Sequence, residues 1–357
     1  MKNILIYLLI FLFIFFAFPM MITKKTLDTI SNENQNPENK IYETNEKDNT
    51  GKDKEKKENN KDNDNLENKN YKYKKYGSIN LLHTKEGNIE NIPIDEYLYH
   101  VVSAEMPVDF EIEALKAQAI VARTYTIYKI QNKKHNNADI CDDSKCCQAW
   151  VSKDVRFSRW EENKREENWN KIKKCVEETK GKVITYENKP INAFFHSNSG
   201  GKTEIPLNVW GGSGLPYLQV VETAGEEGYK QYLSEVTLRN EEIIEKIKTV
   251  YSDIVIDFNN NEDIKILDYT DSGRIRTIKF GNHNLSGVEA RKIFSLKSTN
   301  FEIIKEKERI TFKVKGYGHG VGMSQTGADS LAKQGKKCDE IIKHFYKNIE
   351  IKNENEI

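Results

Sequence analysis

Apolar residues are distributed in three different ways along this 357-residue chain. Residues 4–22 carry no charge and are dense in Ile, Leu and Phe, over the length that a helix needs to cross a bilayer core. No small-x-small cleavage pattern follows at Phe18, Pro19 and Met20, as a signal peptide would require. We therefore predict a signal anchor over residues 1–25. Its N-terminus should stay in the cytoplasm, because a short leading tail is easily retained, and the rest of the chain should lie outside the membrane.

Residues 31–70 show the opposite pattern, because 31 of these 40 residues are Asn, Lys, Glu or Asp. Such a segment buries too little apolar surface to offset the chain entropy lost on folding. We predict a disordered, charged linker over residues 26–75. Its charges of both signs are interspersed and the formal net charge of the chain is zero, so electrostatics gives no support for a nucleic-acid partner.

Residues 76–352 alternate short apolar runs with segments of helical periodicity, which predicts an α+β fold. The length suffices for one large two-lobed domain outside the membrane, followed by a tail at residues 353–357. The predicted strands cover residues 77–83, 89–94, 182–186, 191–196, 264–267, 275–280 and 309–314. The predicted helices cover residues 93–106, 110–129, 236–250, 286–293 and 324–334, with another that contains Trp169 and ends at Gly181.

One acidic residue lies on a face that should be buried. In the predicted helix at residues 93–106, Leu98, Val101, Val102 and Glu105 share one face. Burial disfavours a charged carboxylate, so Glu105 should have a raised pKa and could donate a proton near neutral pH. Two structural interpretations remain open at this point: an ion pair with a nearby cation, or a helix end that reaches water.

The next predicted helix, at residues 110–129, is small and apolar almost all round. A helix of this kind belongs in the interior of a domain. It contains Arg123, and a buried arginine requires a carboxylate partner. Glu105 is a candidate for that partner.

Three of the five cysteines, together with a histidine, fall within thirteen residues: His135, Cys141, Cys146 and Cys147. Soft thiolates with an imidazole favour Zn²⁺, although the spacing is not that of a zinc finger. A disulfide or free thiols are the alternatives. The isolated Cys175 and Cys338 are expected to be buried as small hydrophobic residues.

Two glycine-containing loops carry polar side chains that could line a cleft. The first, residues 196–203, contains His196 and Ser199, and the second, residues 316–328, contains Tyr317, His319 and Gln325. The glycines of the second loop match neither a phosphate-binding loop nor a dinucleotide fingerprint. They are better explained as allowing a tight loop to present its side chains. The turn-rich segment around Trp210 is either a ligand-stacking surface or a piece of core.

These motifs together resemble the stage II sporulation protein D family, which includes amidase enhancers. The resemblance rests on residues 104–107 (AEMP), 114–125 (ALKAQAIVARTY), 196–201 (HSNSGG) and the loop at residues 316–328, and it covers roughly residues 77–351. It implies a peptidoglycan lytic transglycosylase that cuts glycan strands lacking stem peptides during engulfment of the forespore. It further implies two partners, the amidase stage II sporulation protein P and the membrane scaffold stage II sporulation protein M.

The resemblance also implies roles for individual residues. Glu105 becomes the single catalytic acid and base, because the C6 hydroxyl of muramic acid attacks its own anomeric carbon and no second carboxylate is needed. The cysteine cluster becomes a structural zinc site, in which Cys146 stands where related proteins carry histidine. The expected cleft residues are Arg123, His196, Ser199, Tyr317, His319 and Gln325. Two alternatives remain: a non-catalytic glycan-binding module that stimulates a partner amidase, and a metallohydrolase that uses the Cys/His cluster.

Overall fold

The computed structural model describes residues 76–357. The predicted signal anchor and linker, residues 1–25 and 26–75, lie outside the described residues. Within residues 76–357, none of the helices combines the length and the apolar character that a membrane span requires. The described chain is mixed α and β, as predicted, with several small sheets around two hydrophobic cores.

The described residues begin with a hairpin of β1 (Ser78–Leu82) and β2 (Ile89–Pro93), and β3 (Ile140–Cys141) pairs with β1 in parallel. The fixed backbone of Pro93 leads directly into α1 (Ile94–Glu105), which confirms the first predicted helix. The next helix, α2 (Ile112–Gln131), begins two residues later than predicted. Its start is set by tertiary structure, because the backbone N–H of Glu111 donates to Asp329 at 2.7 Å.

The first hydrophobic core surrounds α2, whose side chains from Ala114 to Ile127 are almost all buried. Small alanines allow other helices to approach its axis closely. These helices are α1, α3 (Lys153–Phe157), α4 (Arg165–Glu178), α8 (Gln325–Lys333) and α9 (Cys338–Phe345). The predicted helix around Trp169 is α4, which ends at Glu178, three residues before Gly181.

The strand predicted at residues 191–196 is mostly wrong. β4 (Lys182–Tyr186) turns through Glu187 and Asn188, both at positive φ, into the short β5 (Lys189–Pro190). Only β6 (Phe195–His196) follows, and it pairs with the parallel β13 (Met323–Ser324) in place of β4. The other neighbour of β4 is β14 (Glu350–Asn353), at the end of the chain. Glu354 in the expected tail is buried and its backbone donates to Gly181.

The second core lies within residues 233–314 and is formed by two three-stranded sheets and two helices. One sheet has the order β10 (His283–Ser286), β9 (Ile275–Phe280), β8 (Ile264–Tyr269), and the other has the order β11 (Phe301–Lys305), β12 (Arg309–Lys315), β7 (Leu233–Arg239). The helices are α6 (Asn240–Lys248) and α7 (Gly287–Ile293). We call this segment the second lobe.

The helix predicted at residues 236–250 begins only at Asn240. The preceding residues form β7, which pairs along its whole length with β12. Pairing with a strand that is about 70 residues away along the chain therefore overrides the helical pattern of residues 236–239. The helix predicted at residues 286–293 is confirmed, with Ser286 and Glu289 forming a reciprocal cap.

Between the lobes, the two glycine loops lie against each other. The backbones of Asn198 and Tyr317 exchange hydrogen bonds of 3.0 and 2.8 Å. A short helix, α5 (Pro206–Trp210), follows the first loop. Gly322, just before β13, has φ of +74°, and a Cβ atom there would lie 1.9 Å from the carbonyl oxygen of Phe194. The pairing of β6 with β13 therefore depends on a residue without a side chain.

We expect Gly322→Ala to lower the free energy of unfolding by more than about 3 kcal/mol, because it adds a backbone clash to an unfavourable φ. The matched control is Gly335→Ala, where φ is +89° but nothing lies within 4 Å of the added Cβ. That variant should lose only roughly 1–2 kcal/mol. Urea unfolding of the two variants checks the difference, and equal losses would contradict the close approach at Gly322.

Candidate active site

Glu105 is the last residue of α1, at the end of a helix face whose Leu98, Val101 and Val102 are fully buried. Its Oε1 accepts a hydrogen bond of 2.5 Å from the backbone N–H of Ala149. Burial raises the pKa of Glu105 to about 7, against the smaller opposing effects of the hydrogen bonds from Ala149 and Gln325. The carboxyl group therefore exchanges a proton close to neutral pH, as the sequence predicted.

Glu105 lies where two cavities meet, each of about 540 Å³. Both cavities are lined by Glu105, Ser197 and Gln325. One continues past Trp160 and Arg156, and the other past Trp210 and the second glycine loop. We call the two together the cleft. An extended ligand in the cleft would pass the carboxyl group with space on both sides.

The second cavity has an aromatic wall. Trp210 is 51% exposed, and its ring lies 4.6 Å from that of Phe194 and 5.1 Å from that of His319, between centroids. Tyr317 lines the same cavity and is 41% exposed. Large aromatic rings held rigidly at a cleft can stack on the apolar face of a ligand. The sequence leaves the segment around Trp210 open between a ligand-stacking surface and a piece of core, and the exposed ring on the cavity wall favours the surface.

His196 and His319 line this cavity as neutral side chains. Burial lowers the pKa of His196 to about 3, assisted by the positive charge of Arg274, and burial lowers the pKa of His319 well below its ordinary value. The Nδ1 of His196 donates to the Val321 carbonyl at 3.1 Å, so its Nε2 carries a lone pair. That buried nitrogen has no hydrogen-bond partner among the described residues. It is an unused hydrogen-bond acceptor in the cavity wall.

Ser199 does not line the cleft, contrary to the sequence prediction. It is fully buried, and its Oγ donates to the carboxylate of Glu226. Glu226, also fully buried, accepts from the Ser199 backbone at 3.1 Å and from Thr326 at 2.9 Å. It thus ties the two glycine loops together. The role of Ser199 is to hold the loops that carry the cleft residues.

Arg123 is also absent from the cleft lining, and its partner is not Glu105, the candidate that the sequence offered. The fully buried guanidinium pairs with Asp95 in the first turn of α1, at 2.5 Å. A short connection makes α1 and α2 antiparallel, so residues far from the connection face each other. Glu105 is next to the connection, whereas Arg123 lies eleven residues into α2, or roughly 17 Å along its axis. The Arg123–Asp95 ion pair therefore links α1 and α2 at the end of the helical hairpin that lies away from the connection.

The structure brings His135, Cys141, Cys146 and Cys147 together, with their ligand atoms all within 4.8 Å of one another. The sulfur atoms of Cys146 and Cys147 lie 3.7 and 3.6 Å from Nε2 of His135, and 3.9 Å apart. Bonds of about 2.3 Å to sulfur and 2.1 Å to nitrogen in a tetrahedron separate ligand atoms by roughly 3.6–3.8 Å. The four residues therefore fit a zinc ion, and Cys146 fits as well as the other ligands.

None of the five cysteines, all of which lie in the described part of the chain, forms a disulfide. Cys175 and Cys338 are buried, as predicted. The segment that follows the cluster connects it to the candidate acid. Gln148 follows it and is anchored to Tyr97 at 2.9 Å, and the next residue supplies the N–H that contacts Glu105.

The comparisons with known proteins agree with this geometry. A family model described as Stage II sporulation protein matches residues 83–186. Stage II sporulation protein D of Bacillus amyloliquefaciens is 35% identical over 77% of this chain and 78% of the relative. The chain belongs to the stage II sporulation protein D family. The protein of the same name in Bacillus subtilis (strain 168) is 34% identical over the same shares of both chains.

Family membership confirms the resemblance drawn from the four sequence motifs, and the names of the relatives associate the chain with sporulation. The chain is also 29% identical to the amidase enhancer of Bacillus subtilis (strain 168), over 69% of this chain and 39% of that relative. Glu105 and the Cys/His cluster lie inside the residues that the family model matches. The loops that carry His196 and Tyr317 lie outside them.

The raised pKa of Glu105 predicts a pH-dependent stability difference. The unfolded carboxyl ionises near pH 4.5 and the folded one near pH 7. Its contribution to stability is therefore fully present below pH 4.5 and is lost as the pH rises to about 7. Glu105→Gln retains an acceptor for the Ala149 N–H and removes the cost of ionisation. We expect it to be more stable than the wild type at pH 8 by up to about 3 kcal/mol, a difference that disappears at pH 4.5.

Urea unfolding as a function of pH measures this difference. The matched control is Glu245→Gln, on the exposed surface of α6. Its unfolding free energy should remain within about 0.5 kcal/mol of the wild type at both pH values. A constant offset between wild type and Glu105→Gln across pH 4.5–8 would contradict a carboxyl that ionises near neutrality.

Proposed function

We propose that this protein is a peptidoglycan lytic transglycosylase that acts on glycan strands lacking stem peptides during forespore engulfment. The observation that carries the proposal is Glu105, a desolvated carboxyl group with a pKa of about 7 at the junction of two cavities. A group that titrates at the working pH can serve first as an acid and then as a base. Family membership supports the sporulation context.

The reaction balances with Glu105 as its only proton carrier. The protonated carboxyl donates to the glycosidic oxygen while the bond from that oxygen to the anomeric carbon breaks. The C6 hydroxyl of the same muramic acid then forms a bond to the anomeric carbon and gives its proton to the carboxylate. The product is a 1,6-anhydro sugar, the acid is regenerated and no water is consumed.

The other carboxylates of the cleft are consistent with this mechanism. Ordinary glycosidases require a second carboxylate as a base or nucleophile. Besides Glu105, the described residues that line the cleft include two acids, Asp109 and Glu161, and both are exposed to solvent. Glu204 and Glu226 are buried, but each is occupied by several hydrogen bonds outside the cleft. An intramolecular nucleophile makes a second carboxylate unnecessary.

The remaining cleft residues have binding roles in this proposal. Tyr317 and Trp210 offer exposed rings for sugar stacking, and His196 offers an unpaired acceptor for a hydroxyl group. Gln325 hydrogen bonds to Glu105 and would hold the carboxyl group toward the scissile bond. His319 is fixed by the Val321 backbone N–H at 3.0 Å, which makes it part of a rigid wall.

We propose further that the Cys/His cluster binds one structural zinc ion. All four ligand positions of a tetrahedron are filled by protein side chains, whereas a catalytic zinc keeps one position open. This argues against the metallohydrolase alternative. A bound ion would clamp the segment that leads, through Gln148, to the N–H of Ala149 at the carboxyl group.

The setting of the reaction completes the proposal. The apolar residues 4–22 would anchor the chain in the cell membrane and the charged linker would let the domain reach the wall between the two membranes. Stage II sporulation protein P, as the amidase that strips the stem peptides, and stage II sporulation protein M, as the membrane scaffold, remain the expected partners.

A second candidate function is a glycan-binding module that stimulates an amidase without cutting glycan itself. It is favoured by the similarity to a protein named amidase enhancer. The raised pKa of Glu105 favours the enzyme, because a binding surface has no need of a carboxyl group that titrates near pH 7. The products formed from purified glycan separate the two functions.

We expect the wild type to convert peptide-free glycan strands into fragments with anhydro-muramic ends, and Glu105→Ala to do so 10²–10⁴-fold more slowly, roughly the contribution of a general acid and base. Above about pH 7 the rate should fall as the carboxyl group loses its proton. Mass spectrometry of the products measures both effects. The control is Glu245→Gln, which removes a carboxylate outside the cleft and should cleave as fast as the wild type.

Three results would contradict the proposal. Undiminished cleavage by Glu105→Ala would exclude Glu105 as the catalytic acid. Reducing ends would indicate a hydrolase, and intact strands in the presence of an activated amidase would indicate the binding module.

The zinc proposal predicts one equivalent of zinc in the purified protein. Cys146→Ser should reduce the zinc content and lower the thermal midpoint, because it removes one of four ligands. Cys175→Ser, a buried cysteine outside the cluster, should leave the zinc content unchanged. Elemental analysis with thermal unfolding checks both, and full zinc retention in Cys146→Ser would exclude that residue as a ligand.

A further inference from the structure

A cavity of about 450 Å³ on the second lobe is lined by three cations, Arg291, Lys292 and Lys297, and by Tyr317. A smaller cavity of about 210 Å³ adjoins it, lined by Lys230 and again by Lys297 and Tyr317. Neither lining contains a carboxylate among the described residues. We call the two together the cationic cavity. Its four positive charges have no negative counterpart within it.

The cationic cavity shares lining residues with the cleft. Tyr317 lines both, and Gln231 lines both the smaller cationic cavity and the cavity beside Glu105. The positive charge of Arg291 contributes to lowering the pKa of His196 and of His319 on the cleft wall, after the larger effect of burial. A polymer bound in the cleft therefore passes within reach of these cations.

Arg291 is a partly buried cation of the second lobe. Its Nε donates to the Leu296 carbonyl at 3.4 Å, and the described residues offer it no salt bridge. Burial lowers the pKa of Arg291. By contrast, exposed Arg276 pairs with Asp268 at 3.1 Å.

Lys297 is positioned beside Arg291 by the second glycine loop. Its carbonyl accepts from the Gly318 N–H at 3.0 Å, and its Nζ lies 4.1 Å from the centroid of the Tyr317 ring. Arg291 is the partly buried cation of the cavity, whereas Lys230, Lys292 and Lys297 are exposed to solvent. Partly desolvating an unpaired guanidinium is unfavourable unless an anion binds to it. A planar guanidinium with free terminal nitrogens suits a carboxylate in particular.

We propose that the cationic cavity binds the free lactyl carboxylate of a muramic acid in the strand that occupies the cleft. This inference rests on the proposed function, because it takes a glycan strand as the ligand. Where a stem peptide is attached, the lactyl group is a neutral amide and carries a bulky chain. The carboxylate exists only after a reaction that hydrolyses the lactyl amide. The second lobe thus selects strands that such a reaction has already processed.

Binding to two matched strands tests the inference: peptide-free strands with free lactyl carboxylates, and the same strands with those carboxylates converted to methylamides. The full-length protein carries Glu105→Gln so that no cleavage occurs during the measurement. We expect it to bind the carboxylate strands about tenfold more tightly, the scale of one hydrogen-bonded charge pair. Arg291→Gln should reduce that ratio to near one, whereas Arg291→Lys should retain part of it.

The control is Arg276→Gln, which removes the same charge from the same lobe outside the cavity and should keep the tenfold ratio. A purely structural role of Arg291 would weaken binding of both strands equally and leave the ratio intact, which would overturn the inference. No preference in the parent protein would also overturn it. In a competition experiment, a glycerol phosphate polymer could displace the bound strands at a lower concentration than unlabelled carboxylate strands do. That result would assign the cavity to phosphate and would also overturn the inference.

The outcome is separable from that of the proposed function. The ratio of the affinities for carboxylate and methylamide strands could behave as expected while the wild type forms no anhydro ends. The proposed carboxylate site would then be supported and the proposed transglycosylase activity contradicted. If anhydro ends form but Arg291→Gln leaves this ratio unchanged, the transglycosylase activity is supported and the carboxylate site is contradicted.

Discussion

The close packing of α2 is the constraint on which the rest of the structure depends. Its alanines bring α1, α4, α8 and α9 near one axis, so the end of α1 and the start of α8 meet. That meeting places Glu105 beside Gln325. The ion pair of Arg123 with Asp95 fixes the far end of the same hairpin. A carboxyl group at the end of a helix is desolvated only because this core continues around it.

The wall opposite Glu105 is built on a different principle. The two glycine loops are rich in polar side chains, and buried polar groups hold them together. Glu226 collects hydrogen bonds from both loops, and Arg274 donates to the carbonyl of Ser199 at 2.6 Å. Both carboxylate oxygens of Glu226 accept hydrogen bonds, and a buried group satisfied in this way has few alternative arrangements. The cleft residues on these loops are therefore held in position before any ligand binds.

The two ends of the ligand path have different electrostatics. The two histidines on the cleft wall are uncharged, and desolvation sets the pKa of Glu105. In the cationic cavity the positive charges are uncompensated. Separating the two keeps the cations from lowering the pKa of Glu105, whose shift has no contribution from any of them. The acid can thus titrate near neutrality although cations line a neighbouring cavity.

Local patterns were sufficient for much of this protein. Helical periodicity placed Glu105 on a buried face, and the spacing of His135 and its three cysteines predicted the cluster, because in both cases the relevant neighbours are close in sequence. Long-range pairing was decisive elsewhere. Residues 236–239 are a strand because β12 pairs with them, Arg123 meets Asp95 because two helices are antiparallel, and Ser199 turns to Glu226 instead of the cleft. The sequence by itself determined which groups could do chemistry and which helices would be buried. Only the tertiary structure decided which polar groups face each other, since a hydrogen bond between distant residues leaves no periodic pattern in the chain.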